Sequence, residues 1–188
     1  MKFRTIAAVL AATMALSLSA EMKLGMVDLM TLVKNHPNYE SNKTLLTATD
    51  KDYQKKLDVI KAEGDKLQED GKKLMEQMRN PMLAAKAKSD AEKELTDLQQ
   101  KLMALDQRYR SESLRFRQEL QDLEGRLLKT TTDDLRKRIA KFASSNGYDL
   151  IVEKSATAYA APALDVTNEM LKELGVDPAE AAKVDEGK

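Results

Sequence analysis

Methionine is the residue type whose spacing first suggests chemistry in this sequence. Met75, Met78 and Met82 lie within eight residues of one another and are flanked by Leu74 and Leu83. A thioether is flexible and polarizable, which suits a surface that accepts varied apolar partners. Methionine is also a good helix former, so the cluster equally suits the filling of a hairpin end. The sequence leaves both interpretations open, and we carry all five residues forward as a candidate contact site.

Residues suited to catalysis are scarce. The single histidine, His36, stands in the triplet NHP, where a loop or capping role is expected. Asp133 and Asp134 lie in a charge-dense helical segment and are expected to be solvated. The sequence carries no phosphate-binding glycine loop and no nucleophile elbow. It therefore predicts a protein that is not an enzyme and that uses no cofactor and no metal.

The composition indicates long solvated helices rather than a rounded globule. Charged residues make up 33% of the 188 residues, with three Phe, five Tyr and no Trp. Lysine plus arginine and aspartate plus glutamate both number 31. This balance gives no support to nucleic acid as a partner.

Residues 1–20 have the layout of a secretory signal peptide. Lys2 and Arg4 precede a short run rich in Ala, Leu, Ser and Thr, which ends at Ser19 and Ala20. A membrane-spanning helix needs about 20 apolar residues, so cleavage after Ser19 or Ala20 is favoured over anchoring. We predict export with cleavage of this segment. Cysteine is absent, so disulfides are excluded despite export.

A heptad pattern predicts an antiparallel helical coiled-coil hairpin, or tentacle, over residues 38–121. Apolar and small residues recur in steps of four and three, and the chain is broken by Asn80-Pro81 at the predicted tip. Arms of roughly 40 residues would be about 60 Å long. The first seam comprises Tyr53, Leu57, Ile60, Gly64, Leu67, Gly71, Leu74 and Met78, and the second Ala91, Leu95, Leu98, Leu102, Leu105, Tyr109, Phe116, Leu120, Leu123 and Leu127.

Two glycines interrupt the first seam. Pairing about the tip places Gly64 opposite Leu95 and Leu98, and Gly71 opposite Ala87 and Ala91. Glycine inside a helix costs about 1 kcal/mol relative to alanine. Close packing is favoured for Gly64, whereas arm flexibility is favoured for Gly71, since both sides of the seam are small there.

The remaining segments predict a small sheet, so the fold class is α+β. KLGMV, DLIVE and AYAA are strand-length, and the last two are expected to form a hairpin beside the first. Strands this short need further partners, which predicts self-association through this base, formed by residues 21–37 and 122–174. A final helix capped at Asp165 or Thr167 precedes a loose tail, residues 175–188. The association residues are predicted to be Leu24, Met26, Val27, Leu150, Ile151, Val152 and Tyr159.

Both ends of the mature chain resemble the Skp/OmpH family of periplasmic chaperones. The resemblance runs from Lys23 to about Leu174, through KLGMVDLMTLVKNHP and YDLIVEKSATAYAAPALDVTNEMLKEL. It implies a homotrimer with a shared β-barrel base and three helical tentacles around a cavity. That cavity would hold unfolded outer-membrane proteins without ATP. Better-known members are strongly basic and this chain is near neutral, which leaves lipopolysaccharide and membrane surfaces open as partners.

Two functions follow from these features. The first is a holdase for unfolded outer-membrane and envelope proteins. The second is a structural coiled-coil spacer or adaptor of the cell envelope with no client-binding activity. Seam glycines and a methionine-rich tip favour the holdase, because a spacer gains from a stiff, regular seam.

Overall fold

A computed structural model describes residues 22–185, so the predicted signal peptide lies outside the described residues. Helices dominate, and two of them are long. Single 3₁₀ turns occur at Lys154–Ala156 and Pro162–Leu164. The other elements are β1 (Leu24–Val27), α1 (Leu29–Lys34), α2 (Tyr39–Met78), α3 (Ala85–Ser145), β2 (Leu150–Glu153), α4 (Thr167–Glu173) and α5 (Pro178–Asp185).

The chain divides into two compact units. One consists of the described residues up to Leu32 together with the described residues from Leu135 onward, and the other is Val33–Asp134. Each has its own buried residues, and α3 contributes to both. We call them the sheet unit and the hairpin unit.

The hairpin unit contains α2 and most of α3. Contacts between the two helices show the hairpin-like arrangement, because residues early in α2 contact residues late in α3. Asn42 contacts Thr131, Tyr53 contacts Phe116, and Glu63 contacts Arg108. The predicted seam supplies the buried apolar residues, including Leu57, Ile60, Ala91 and Phe116. Ion pairs four residues apart, such as Lys73 with Glu69 and Lys101 with Asp97, lie on the exposed surface, where solvent screens them and their contribution is small.

The connection between the long helices is longer than the predicted tight break. Helix α2 ends at Met78 and α3 begins at Ala85, so residues 79–84 separate them. Asn80 organises this turn: its side-chain oxygen accepts the Met82 amide at 3.0 Å and its carbonyl accepts the Leu83 amide at 3.2 Å. The later start of α3 shifts the register between the helices.

The sheet unit is built on a parallel pair of strands. Leu24 pairs with Leu150 and Val27 with Glu153. On its other side β1 bridges to Asp165, and the Met26 carbonyl accepts the Val166 amide at 2.8 Å. The predicted hairpin of DLIVE and AYAA is wrong, because a 3₁₀ turn follows β2 and AYAA forms no strand. Two strands, rather than three, form the sheet of the described chain.

Local signals set the start of α1 and the end of α3, whereas α4 was predicted to be capped at Asp165 or Thr167 and instead follows Val166, which makes no side-chain capping bond. Asp28 accepts the Thr31 amide at 3.0 Å and so caps α1. Gly147 adopts a left-handed conformation (φ 67°) after α3, and the Tyr148 amide donates to the Ala143 carbonyl at 2.9 Å. The segment predicted as a loose tail differs, since it contains α5. Asp177 caps this helix, and Ala181 is buried.

Candidate functional site

The exposed apolar residues of the sheet form the first candidate surface. Met26 and Val27 are buried in the core of the sheet unit, and Ile151 and Val152 are half-buried. Leu24 and Leu150, which are register partners, are 40% and 50% exposed. Tyr159 is 85% exposed in the loop after β2. In the described residues β2 pairs only with β1, so one edge of it stays open.

A cluster of polar side chains joins the end of β1 to the start of α4. The Asp28 amide donates to Thr167 Oγ1 at 2.9 Å, and the Thr167 amide donates to Asp165 Oδ1 at 3.0 Å. Lys154 Nζ donates to the other carboxylate oxygen of Asp165, also at 3.0 Å. Burial favours the neutral acid, but the hydrogen bonds from Thr167 and Lys154 outweigh it and lower the pKa of Asp165.

The methionine-rich cluster lies at the end of the hairpin, as predicted. Met82 is 89% exposed in the turn, and Met75 is 48% exposed near the end of α2. Leu74, Met78 and Leu83 are half-buried. The structure therefore divides the predicted tip site: three side chains are partly covered by the fold, and two thioethers face solvent.

The register prediction for the seam glycines is wrong. A methyl group on Gly71 would lie 3.9 Å from Leu95 Cδ1 and 4.0 Å from Leu98 Cδ1, whereas Gly71 was expected to face Ala87 and Ala91. These leucines were assigned to Gly64, which has open space where its methyl group would be. The six-residue connection accounts for the shift, because it moves each α2 residue opposite a later part of α3.

An aromatic and ionic cluster joins the two helices near the middle of the hairpin. The rings of Tyr53 and Phe116 stack with centroids 4.3 Å apart. The Tyr53 hydroxyl donates to Glu119 Oε2 at 2.7 Å, and Arg115 lies 5.0 Å from the Phe116 ring centroid. The hydrogen bond to the Glu119 carboxylate, with smaller effects of burial and charge, raises the pKa of Tyr53.

Sequence reasoning placed both aromatic rings on seams but missed this cluster. The irregular heptad spacing between Tyr109 and Phe116 could have indicated it. Glu112 occupies the position at which the regular spacing would place an apolar residue. Glu112 is only 25% exposed at its side chain, and its carboxylate pairs with Arg115 at 2.5 Å. Arg115 also lies 3.5 Å from Glu119, so one arginine serves two acids.

His36 has the structural role that was expected of it. Its Nδ1 accepts the Asn38 amide at 3.1 Å, which leaves Nε2 to donate to Asp134 Oδ2 at 3.1 Å. The ring is buried, and it joins the segment before α2 to α3. Asp134, which was expected to be solvated, is half-buried and partnered here.

Two further features of the described residues bear on function. Among residues 22–185, no group of three or more His, Asp or Glu side chains is arranged to hold a metal ion. Within the same range, no helix has both the length and the apolar character that crossing a membrane requires.

Comparison with known proteins agrees with this architecture. No curated protein matches the chain. The family model described as "Outer membrane protein (OmpH-like)" matches residues 23–174, a range that includes β1, both long helices, β2 and α4. Because the match covers most of the sequence, the chain belongs to the OmpH-like family.

Proposed function

We propose that this protein is an ATP-independent periplasmic holdase that binds unfolded outer-membrane proteins and prevents their aggregation. The match to the OmpH-like family carries the proposal, because membership is consistent with a periplasmic chaperone of outer-membrane proteins. The match includes the hairpin and the sheet together, so the proposal concerns the whole mature chain.

The surface of the hairpin unit supports client binding. Several apolar side chains are left uncovered by the seam: Met82 is 89% exposed, Val59 68%, Met103 66% and Leu114 64%. Charged residues separate them along the sequence. Separate apolar contacts of this kind suit an extended, non-native chain better than a folded partner with one large interface.

The sheet unit supports assembly into a homotrimer with a shared barrel. A two-stranded sheet is marginal by itself, and β2 has an open edge beside exposed Leu24 and Leu150. Strands from neighbouring copies would pair with that edge and cover these side chains. Three arms on one base would then multiply weak contacts through their high effective concentration.

An aggregation assay tests the proposal. An unfolded outer-membrane β-barrel protein is diluted from urea with and without the purified mature chain, and light scattering follows aggregation. We expect full suppression near one trimer per client, with no change when ATP and magnesium are added. Unaltered aggregation would favour the alternative, a structural spacer of the envelope, and nucleotide-dependent release would contradict the holdase mechanism.

A further inference from the structure

The most exposed large apolar side chain in the described residues is a thioether. Met82 is 89% exposed, because the Asn80 turn binds its backbone amide and leaves its side chain in solvent. Met75, at the adjacent end of α2, is 48% exposed. Both belong to the methionine-rich tip cluster, and we take this cluster as one of the places where the proposed holdase would contact apolar client segments.

Sulfur chemistry in this chain is restricted to methionine. The sequence has ten methionines and no cysteine, so no thiol competes for an oxidant. The core methionines are inaccessible: Met26 is 5% exposed and Met170 is 0% exposed in the sheet unit. Oxidation at the tip therefore need not disturb the core.

We propose that the thioethers of Met82 and Met75 form a peroxide-sensitive site that reduces client binding at the tip when oxidised. The sulfur lone pair attacks one oxygen of hydrogen peroxide, and the O–O bond breaks. That oxygen becomes the sulfoxide oxygen, while the other takes up its proton and leaves as water. Sulfur loses the two electrons that the peroxide gains.

The consequence follows from the change in polarity. A sulfoxide is a polar, chiral group, whereas the thioether that it replaces is apolar and adaptable. The Met82 side chain is not packed against the fold, so its oxidation should weaken apolar contacts without unfolding the hairpin. The effect of oxidation on client binding, which we call the functional half of the proposal, depends on the proposed holdase activity. The reactivity of the two thioethers does not.

Peptide mass mapping tests the reactivity. The mature protein is treated with hydrogen peroxide for increasing times and then digested. We expect Met82 to gain one oxygen earliest within the tip cluster and Met75 to follow, with Met26 and Met170 unmodified while circular dichroism is unchanged. Equal rates at Met82 and Met170 in folded protein would overturn the assignment of the site.

A pair of matched double variants tests the functional half. Met75→Leu with Met82→Leu keeps the tip apolar and removes its thioethers. Met22→Leu with Met30→Leu removes two others that are 64% and 59% exposed in the sheet unit. After oxidation, the concentration of chaperone needed to suppress aggregation by half should rise about threefold or more for the parent and for the control double variant. For the tip double variant it should rise little.

Each remaining outcome also decides the question. Equal loss of suppression in the tip variant and the parent would show that other methionines matter, and would overturn the functional half. Failure of the unoxidised parent to suppress aggregation would contradict the holdase proposal, and with it the proposed effect of oxidation on client binding. The peptide masses would still decide whether Met82 and Met75 are the reactive site.

Discussion

The rings of Tyr53 and Phe116 lie 5° from parallel, one on each long helix. Phe116 is buried, and the Tyr53 hydroxyl extends the contact to Glu119. This stack lies where the heptad spacing of α3 is irregular and an acid occupies the seam. Aromatic stacking thus joins the two helices close to the position where an acid replaces an apolar seam residue.

Removing the ring of Phe116 should therefore destabilise the hairpin strongly. We expect Phe116→Ala to lower the free energy of unfolding by about 3 kcal/mol, through lost burial and a residual cavity. Tyr53→Phe keeps the stack, removes only the hydroxyl, and should cost about 1 kcal/mol. Urea unfolding monitored by circular dichroism measures both. Equal losses in the two variants would show that the hydrogen bond, rather than the stack, holds the register.

Tyr53 also predicts a loss of stability at alkaline pH. The phenol pKa is raised in the folded state, so its contribution is present below the unfolded value of 10.0 and is lost as the pH rises through the folded pKa. Tyr53→Phe should show a smaller decrease in urea midpoint between about pH 9 and 11 than the parent. The same decrease in both proteins would rule out this linkage.

Alanine at the seam glycines should stabilise the hairpin. A methyl group at Gly71 makes ordinary contact with Leu95 and Leu98, and one at Gly64 meets no atom within 4 Å. Each substitution should raise the free energy of unfolding by up to about 1 kcal/mol. Gly125→Ala is the matched control, because it also lies in a long helix with no atom near the added methyl group. A lower melting temperature for Gly71→Ala would show that the leucines cannot accommodate the methyl group.

The same variants test arm flexibility. If the seam glycines make the arm compliant, the Gly64→Ala and Gly71→Ala double variant should hold the largest clients less well while small clients are held equally. Gly125→Ala should change neither. Aggregation assays with clients of graded size measure the difference, and equal holding by all variants would remove flexibility as a role for these glycines.

Asp165 should make the sheet unit sensitive to acid. Its pKa is lowered in the folded state, so its contribution is present above the ordinary value of 3.8 and is lost as the pH falls through the folded pKa. Asp165→Asn should lower the free energy of unfolding by about 1 kcal/mol at pH 7. The gap in this free energy between parent and variant should narrow near pH 3. Glu173→Gln, an exposed site in α4, is the control. A gap that stays constant with pH would contradict the linkage.

Leu150→Asp should separate assembly from folding of the single chain. Leu150 is half exposed, so a charge there should oppose association while sparing the core, unlike Ile151→Asp, which also lies against Gly25. If the parent is the proposed trimer, we expect light scattering to show that this variant is a monomer. Leu114→Asp, at a 64% exposed position on α3, should leave the trimer intact. A monomeric parent protein would refute the assembly proposal.

Short-range patterns in the sequence determined the two long helices and the faces that they bury. The heptad steps identified Leu57, Ile60 and Phe116 as buried, because helical periodicity alone decides which residues share a face. Asp28 and Gly147 likewise act as caps through residues only a few positions away, so these helix ends depend on local sequence. The family resemblance rested on the two ends of the chain, and the family match confirms it.

Relationships between distant residues were decided only by the tertiary structure. The parallel pairing of β1 with β2 joins Leu24 to Leu150, and strand propensity does not specify the direction or the partner of a strand. Gly71 faces Leu95 because the connection at residues 79–84 sets the register, and a few residues in a loop shift every pair across a hairpin. The bond from Tyr53 to Glu119 depends on that same register, so helical periodicity could predict the faces that meet but not the side chains that pair.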